Sequence, residues 1–68
     1  MEEKFLVIIC ETYENEEIYY CGDNEIEAYK IFKNIPYKTK RMVKANVKIS
    51  KIHGCELINE YEILQSIR

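Results

Sequence analysis

The stretch Phe5-Leu6-Val7-Ile8-Ile9-Cys10, residues 5–10, is the longest apolar run in this chain of 68 residues. Its β-branched side chains and its shortness favour a strand over a helix. Successive side chains of a strand point to opposite sides of the sheet, so this run places apolar groups on both faces. We therefore expect a first strand over residues 4–13 that needs cover on two sides.

A second strand and a helix are predicted next. Polar residues 14–17 indicate a turn, and residues 18–21 are typical of a returning strand. Asp23 or Asn24 can cap a helix, since Glu27 follows Asn24 at the spacing of a capping box. Pro36 ends that helix. Its apolar stripe consists of Ala28, Ile31, Phe32 and Ile35.

Two further strands complete the expected fold. Residues 41–52 alternate, with Val43, Ala45, Val47 and Ile49 on one face and Lys44, Asn46, Lys48 and Ser50 on the other. A tight turn is predicted at His53-Gly54, and residues 56–63 alternate again. The tail at 63–67 has helical spacing and either forms a last helical turn or extends the strand. The fold class expected is α+β: one domain over residues 1–68, with a single antiparallel four-stranded sheet in the order β-β-α-β-β and one helix packed on one face.

Size and composition limit the location and the class of protein. Two glutamates follow Met1 where a secretory signal would carry cations, and the apolar run is too short to cross a bilayer. Three cysteines, an odd number, fit reduced thiols better than a disulfide framework. These features predict a cytoplasmic protein. A core of this size supplies only about 3–5 kcal/mol, so association with a partner is a common remedy.

The two apolar faces of the first strands predict an interface. One helix covers one face, and the other face then exposes apolar side chains, which usually mark a contact surface. Alternatively, the chain's own tail at 63–67 folds over that face. The residues expected at the dimer or partner contact are Leu6, Ile8, Cys10, Tyr19 and Cys21.

Charges are segregated along the chain. Residues 2–27 hold nine carboxylates and one cation, whereas residues 30–51 hold eight cations and no carboxylate. Such segregation creates fields that a net charge of −2 conceals. An acidic surface suited to a basic groove on a partner is expected at Glu11, Glu14, Glu16 and Glu17. A basic surface that could track a phosphate backbone is expected at Tyr37, Lys38, Lys40, Arg41, Lys44 and Lys48. Neutralisation of the lysines of the third strand by glutamates on neighbouring strands is one competing interpretation, and a basic protein-binding surface is the other.

The cysteines and the single histidine offer little support for catalysis or metal binding. A first turn centred on residues 15 and 16 would place Cys10 opposite Cys21, close enough to crosslink. In a reducing compartment two small buried thiols are expected instead. Cys10, Cys21, His53 and Cys55 are nominal zinc ligands, but their spacing contains no C-x₂-C knuckle. Cys55 beside His53 lacks a pocket in so short a chain. We expect no catalytic residue, no metal and no cofactor.

The sequence thus favours a small non-enzymatic protein-binding module. We expect it to form a homodimer, to bind a host protein, or both, and to act as an inhibitor or adaptor of the kind that phages and mobile elements encode. The alternative is a nucleic-acid-binding protein that uses the basic band 38–48.

Overall fold

Four strands and one helix make up the part of the chain that the computed structural model describes, residues 2–12 and 15–67. In chain order they are β1 (Glu2–Thr12), β2 (Asn15–Gly22), α1 (Glu25–Asn34), β3 (Lys40–Ser50) and β4 (Gly54–Ile67). All strand pairings are antiparallel, and the order across the sheet is β2-β1-β3-β4. The predicted element order and the single four-stranded antiparallel sheet are confirmed.

The predicted turns are displaced. Residues 15–17, expected in a turn, already belong to β2. Of the two alternatives for the tail at 63–67, the extension of the last strand is the one found. The turn between β3 and β4 spans residues 51–53, where the His53 N–H donates to Ser50 Oγ (2.9 Å). Gly54 follows with φ of +70°, a left-handed conformation that glycine adopts without steric cost.

Helix α1 begins and ends as its sequence predicts. Asn24 Oδ1 accepts a hydrogen bond from the Glu27 N–H (3.0 Å), which satisfies one of the backbone donors left free at a helix start. At the other end the Ile35 N–H donates to Ile31 O (3.1 Å). Pro36 comes next and has no N–H with which to continue the helix.

The buried apolar side chains form two clusters. The helical cluster joins Ala28, Phe32 and Ile35 to residues of β1 and β3, namely Val7, Ile9 and Met42. The sheet cluster contains strand residues alone: Leu6, Ile8, Val43, Ala45 and Val47. Val7 and Ile9 alternate with Leu6 and Ile8 along β1, so the two clusters lie on opposite sides of the sheet. Every member of the sheet cluster is at most 2% exposed, although no helix contributes to it.

Bulges in β4 explain how the sheet buries its second side. All eleven residues of β3 pair with β4, which has fourteen residues, so three residues of β4 have no partner. The register shifts place these extra residues at Ile58, Tyr61 and Leu64. Each bulge bends the strand and increases its right-handed twist. The β3–β4 hairpin therefore coils toward the side of the sheet that carries the sheet cluster.

Contacts between the outermost strands show how far the sheet curls. In a flat sheet β2 and β4 would lie three strand spacings apart, about 14 Å. Here Cys21 on β2 and Cys55 on β4 bring their Sγ atoms to 2.7 Å, and both thiols pack against the sheet cluster. The sheet has curled until β2 and β4 meet at this one point. The chain therefore covers its own second side.

Candidate functional site

An arginine links both outer strands on the curled side of the sheet. Arg41 Nε lies 2.7 Å from Glu60 Oε1 on β4, and Arg41 Nη1 forms an ion pair with Glu16 on β2. Burial alone would lower the pKa of Arg41, but its hydrogen bonds to Glu60 and Glu16 outweigh burial and raise it. This triad keeps a half-buried cation charged and ties β2, β3 and β4 together.

The surface predicted for a dimer or partner is not an exposed apolar face. Leu6 and Ile8 are fully buried in the sheet cluster of a single chain, so the expectation that they lie exposed is wrong. Cys10 and Cys21 are half-buried. Curling of the sheet, which alternation along one strand cannot reveal, has covered these side chains.

Tyr19 departs from the predicted pattern for a different reason. In the β1–β2 ladder Val7 faces Tyr20 and Ile8 faces Ile18, so Tyr19 is an extra, bulged residue. The bulge places Ile18 and Cys21 against the sheet cluster and Tyr20 against the helical cluster. Tyr19 itself is half exposed and meets Tyr37 edge-on, with ring centroids 6.2 Å apart. The predicted grouping of Tyr19 with Cys21 on one face is wrong.

The predicted acidic surface is only partly described. Glu14 and the side chain of Glu11 lie outside the described residues. Glu17 is exposed, whereas Glu16 is paired with Arg41. Asp23, at the end of the same hairpin, is bound by Lys4 Nζ at 2.7 Å. Internal ion pairs thus neutralise part of the negative charge of this hairpin.

The predicted basic band does not form one continuous surface. Lys40 is buried, donates to Ile35 O (3.1 Å) and lies 5.0 Å from the centre of the Phe32 ring. Arg41 follows Lys40 on β3, so it points to the opposite side of the sheet, toward Glu60.

Of the other residues of the predicted basic band, two lysines lie opposite glutamates of β4, and the rest differ in exposure. Lys44 and Lys48 oppose Glu62 and Glu56 on β4, the cross-strand arrangement that the neutralising interpretation predicts. Tyr37 is half-buried against the helical cluster, and Lys38 is exposed. Lys38 and Lys48 are the two lysines of the band with well exposed side chains.

The cysteine register differs from the prediction. Cys10 faces Glu16, and Cys21 faces Leu6, because Asn15 already pairs with Thr12 and the hairpin is therefore centred before residue 15. Cys55, which was assigned no pairing from the sequence, is the thiol that contacts Cys21. Among the described residues no group of three His, Cys, Asp or Glu side chains converges on a metal-sized site.

Strand β4 is the exposed surface that sequence reasoning missed. Ten large apolar side chains are exposed among the described residues, and half of them lie on this one strand. We call these five side chains, together with Glu56 and Glu62, the β4 edge surface. The apolar members are Leu57, Ile58, Tyr61, Ile63 and Ile67.

The backbone of β4 is also available for pairing. It is an outermost strand of the sheet, and no backbone hydrogen bond of the described residues joins it to β2. An outermost strand offers unpaired N–H and C=O groups along its free edge. A pocket of about 210 Å³ lies where the end of β4 meets β1 and β3, and its lining includes Ile8, Cys10, Ile63 and Ile67.

A sequence signal for this surface existed. Three bulges reset the alternation of β4, so that Leu57, Glu60 and Ile63 oppose Val47, Ala45 and Val43 and share their side of the sheet. Apolar or aromatic residues at 58, 61 and 64 recur every third position instead of every second. This three-residue spacing marks the bulges of β4, and the tail at 63–67, whose own spacing allowed a helical turn, belongs to the same bulged strand.

In the described residues, no helix has both the length and the apolar character needed to cross a membrane. Comparison with protein-family models, with curated proteins and with solved structures gave no match for this chain. Inferences about function therefore come from the chain's own side chains.

Proposed function

We propose that this chain is a small non-enzymatic protein-binding module, an inhibitor or adaptor of the cytoplasm, that captures a segment of a partner protein along β4. We infer that α1 covers one side of the sheet and that coiling covers the other, which leaves the strand edge as the surface for contact. The observation that carries the proposal is the coincidence of exposed apolar side chains with an unpaired strand edge. Proteins that bind extended segments by strand addition use this combination.

Charge indicates what kind of segment β4 accepts. Residues 54–67 carry Glu56, Glu60 and Glu62 and no cation. Opposite charges across neighbouring strands contribute about 0.2–1 kcal/mol each, and like charges destabilise the pairing. We therefore propose a partner strand that alternates apolar residues with lysine or arginine.

The same charges disfavour self-association through this edge. If two copies paired β4 against β4, no register would place a cation opposite a glutamate, because residues 54–67 contain none. Carboxylates on an edge strand are a common device against unwanted pairing. A host protein is thus a better candidate partner than a second copy of this chain.

Affinity capture from the native host with matched baits tests the proposal. The baits are the wild type, an Ile63→Lys/Ile67→Lys variant of the β4 edge, and an Ile26→Lys control on α1, where Ile26 is 69% exposed. We expect proteins captured by the wild type and the control to be lost from the β4 variant. Circular dichroism of all three checks that they fold.

Hydrogen exchange on the captured complex distinguishes this surface from others. Amides of β4 should exchange more slowly in the complex, because strand addition supplies partners for the free edge. Identical capture by all three baits, or protection confined to α1, would contradict docking on β4.

Nucleic-acid binding through the basic band is the weaker candidate. Lys40 and Arg41 are engaged inside the fold, which leaves Lys38, Lys44 and Lys48 for phosphates. Three contacts with single-stranded nucleic acid give a slope of log K against log salt of about −2. Filter binding at two salt concentrations, with a Lys38→Glu/Lys48→Glu variant, tests it. Salt-sensitive binding that this variant abolishes would favour nucleic acid over a protein partner.

A further inference from the structure

Two thiols meet where the edges of the sheet touch. Cys21 lies near the end of β2 and faces Leu6 on β1, while Cys55 is the second residue of β4 and faces Ile49 on β3. The Cys55 thiol donates to Cys21 Sγ across 2.7 Å. Both side chains are half-buried, so a small reagent can approach them from solvent.

The third cysteine is too distant to compete. Cys10 faces Glu16, which lies five residues along β2 from Cys21. At the rise of an extended strand, five residues correspond to about 16 Å. The fold therefore selects one pair of cysteines out of the three that the sequence allows.

We propose that Cys21 and Cys55 are a modification site at which a small-molecule disulfide, such as oxidised glutathione, forms an intramolecular disulfide that latches β2 to β4. The sulfur atoms are already in contact across the two strands, so the pair is positioned for a bond to form. The inference rests on the curled sheet and does not depend on the proposed partner.

The thiol–disulfide exchange with oxidised glutathione takes place in two steps. The Cys55 thiolate, after losing its proton to solvent, attacks one sulfur of the oxidised glutathione, and the first glutathione leaves as a thiolate. Cys21 then loses its proton and attacks Cys55 Sγ, which forms the Cys21–Cys55 bond and expels the second glutathione thiolate. The protein loses two protons and two electrons, and oxidised glutathione is reduced to two molecules of the thiol.

The surroundings of Cys21 control the closing step. Burial, and next the hydrogen-bonded contact with Cys55, raise the pKa of Cys21 to about 12. Thiolates are the attacking species in disulfide exchange, so closure requires the Cys21 thiol to lose its proton first. Below its pKa the thiolate fraction rises about tenfold with each pH unit, and closure should accelerate accordingly.

The latch controls access to the sheet cluster. Leu6 and Val47 remain covered only while β2 and β4 stay together, and the reduced contact between the thiols is non-covalent. A covalent bond across thirty-four residues removes open conformations in which the edges separate. The oxidised chain should therefore open less often than the reduced chain.

The experiment treats the full chain with oxidised glutathione at mildly alkaline pH and follows intact mass and disulfide-linked peptides. We expect a loss of about 2 Da, for two hydrogens, and one linked peptide pair that joins Cys21 to Cys55. Cys10→Ser should close normally. Cys21→Ser and Cys55→Ser should instead keep glutathione as a mixed disulfide on the remaining partner thiol. Hydrogen exchange of β2 and β4 should be slower in the oxidised wild type.

Two results would overturn the proposal. One is a bond that includes Cys10, or glutathione adducts on the wild type that never close. The other is a Cys21–Cys55 bond that leaves exchange in β2 and β4 unchanged, since such a bond would not act as a latch. Neither result bears on capture of a partner by β4, which the Ile63→Lys/Ile67→Lys bait tests separately.

Discussion

Arg41 Nε and Glu60 Oε1, on adjacent strands of one hairpin, lie 2.7 Å apart, and the same guanidinium reaches Glu16 on the far edge of the sheet. One cation thus holds two carboxylates that would otherwise repel each other across the curled side. The contact is half-buried, with 22% of the Arg41 side chain and 26% of the Glu60 side chain exposed. Its contribution should exceed that of a surface ion pair.

Replacing Arg41 should weaken the closure of the sheet. Arg41→Met removes the cation and leaves Glu16 and Glu60 without it. We expect the free energy of unfolding to fall by about 1–2 kcal/mol, which is the range for hydrogen bonds to charged groups reduced for partial exposure. Urea denaturation measures the change, and Lys38→Met, at an exposed lysine, serves as the control with a loss below about 0.5 kcal/mol. Equal losses in both variants would argue against a structural role for the triad.

The second side of the sheet should behave as a core. Ile8→Ala deletes a side chain that is 2% exposed, and we expect a loss of about 2–5 kcal/mol from lost burial and a residual cavity. Ile63→Ala, at a position 61% exposed, is the matched control and should change stability by no more than about 0.5 kcal/mol. Denaturant midpoints give both values. A stable, still folded Ile8→Ala variant would show that the sheet cluster is not closed.

The cap of α1 provides a local test. Asn24→Ala removes the acceptor for the Glu27 N–H, and we expect a loss of about 1 kcal/mol together with reduced helical circular dichroism. Asn24→Asp keeps an acceptor oxygen and adds a negative charge at the positive end of the helix, so it should retain the stability. If Asn24→Asp is as unstable as Asn24→Ala, the side chain of Asn24 does not stabilise the chain by capping the helix.

The buried thiol predicts a loss of stability in alkali. Burial and the contact with Cys55 raise the pKa of Cys21 from an ordinary 9.0 to about 12 in the folded chain. Between these values the unfolded chain loses the thiol proton and the folded chain keeps it, so stability is full below pH 9 and falls as pH rises toward 12. Urea denaturation at several pH values, under reducing conditions, should show a steeper decline for the wild type than for Cys21→Ser. Parallel curves would contradict a protonated Cys21 in the fold.

Local patterns in the sequence were sufficient for the order of elements and for the helix. The cap at Asn24, the stop before Pro36 and the burial of Ala28 and Phe32 follow from side-chain chemistry within one or two turns. Alternation along β3 correctly indicated that Val43, Ala45 and Val47 are buried, whereas Ile49, expected on the same face, is 50% exposed. Ile26, which did not fit the helical stripe, is exposed.

The candidate sites could not be predicted in the same way, because they depend on bulges. The extra residue at Tyr19 changes which side chains of β2 lie on the same face of the sheet as Leu6. The three extra residues of β4 decide the face on which Leu57 and Ile63 lie. A bulge has little signature in composition, since it is favoured by the need of the whole sheet to curve.

The sequence by itself determined that strand β1 would need cover on both faces and that a single helix was present to provide it. Only the tertiary structure decided that the second cover is the sheet itself, and hence that Cys21 meets Cys55 and that β4 keeps the exposed edge. The physical reason is that alternation is a property of neighbouring residues, whereas curvature adds up over four strands and places in contact groups that are thirty-four residues apart.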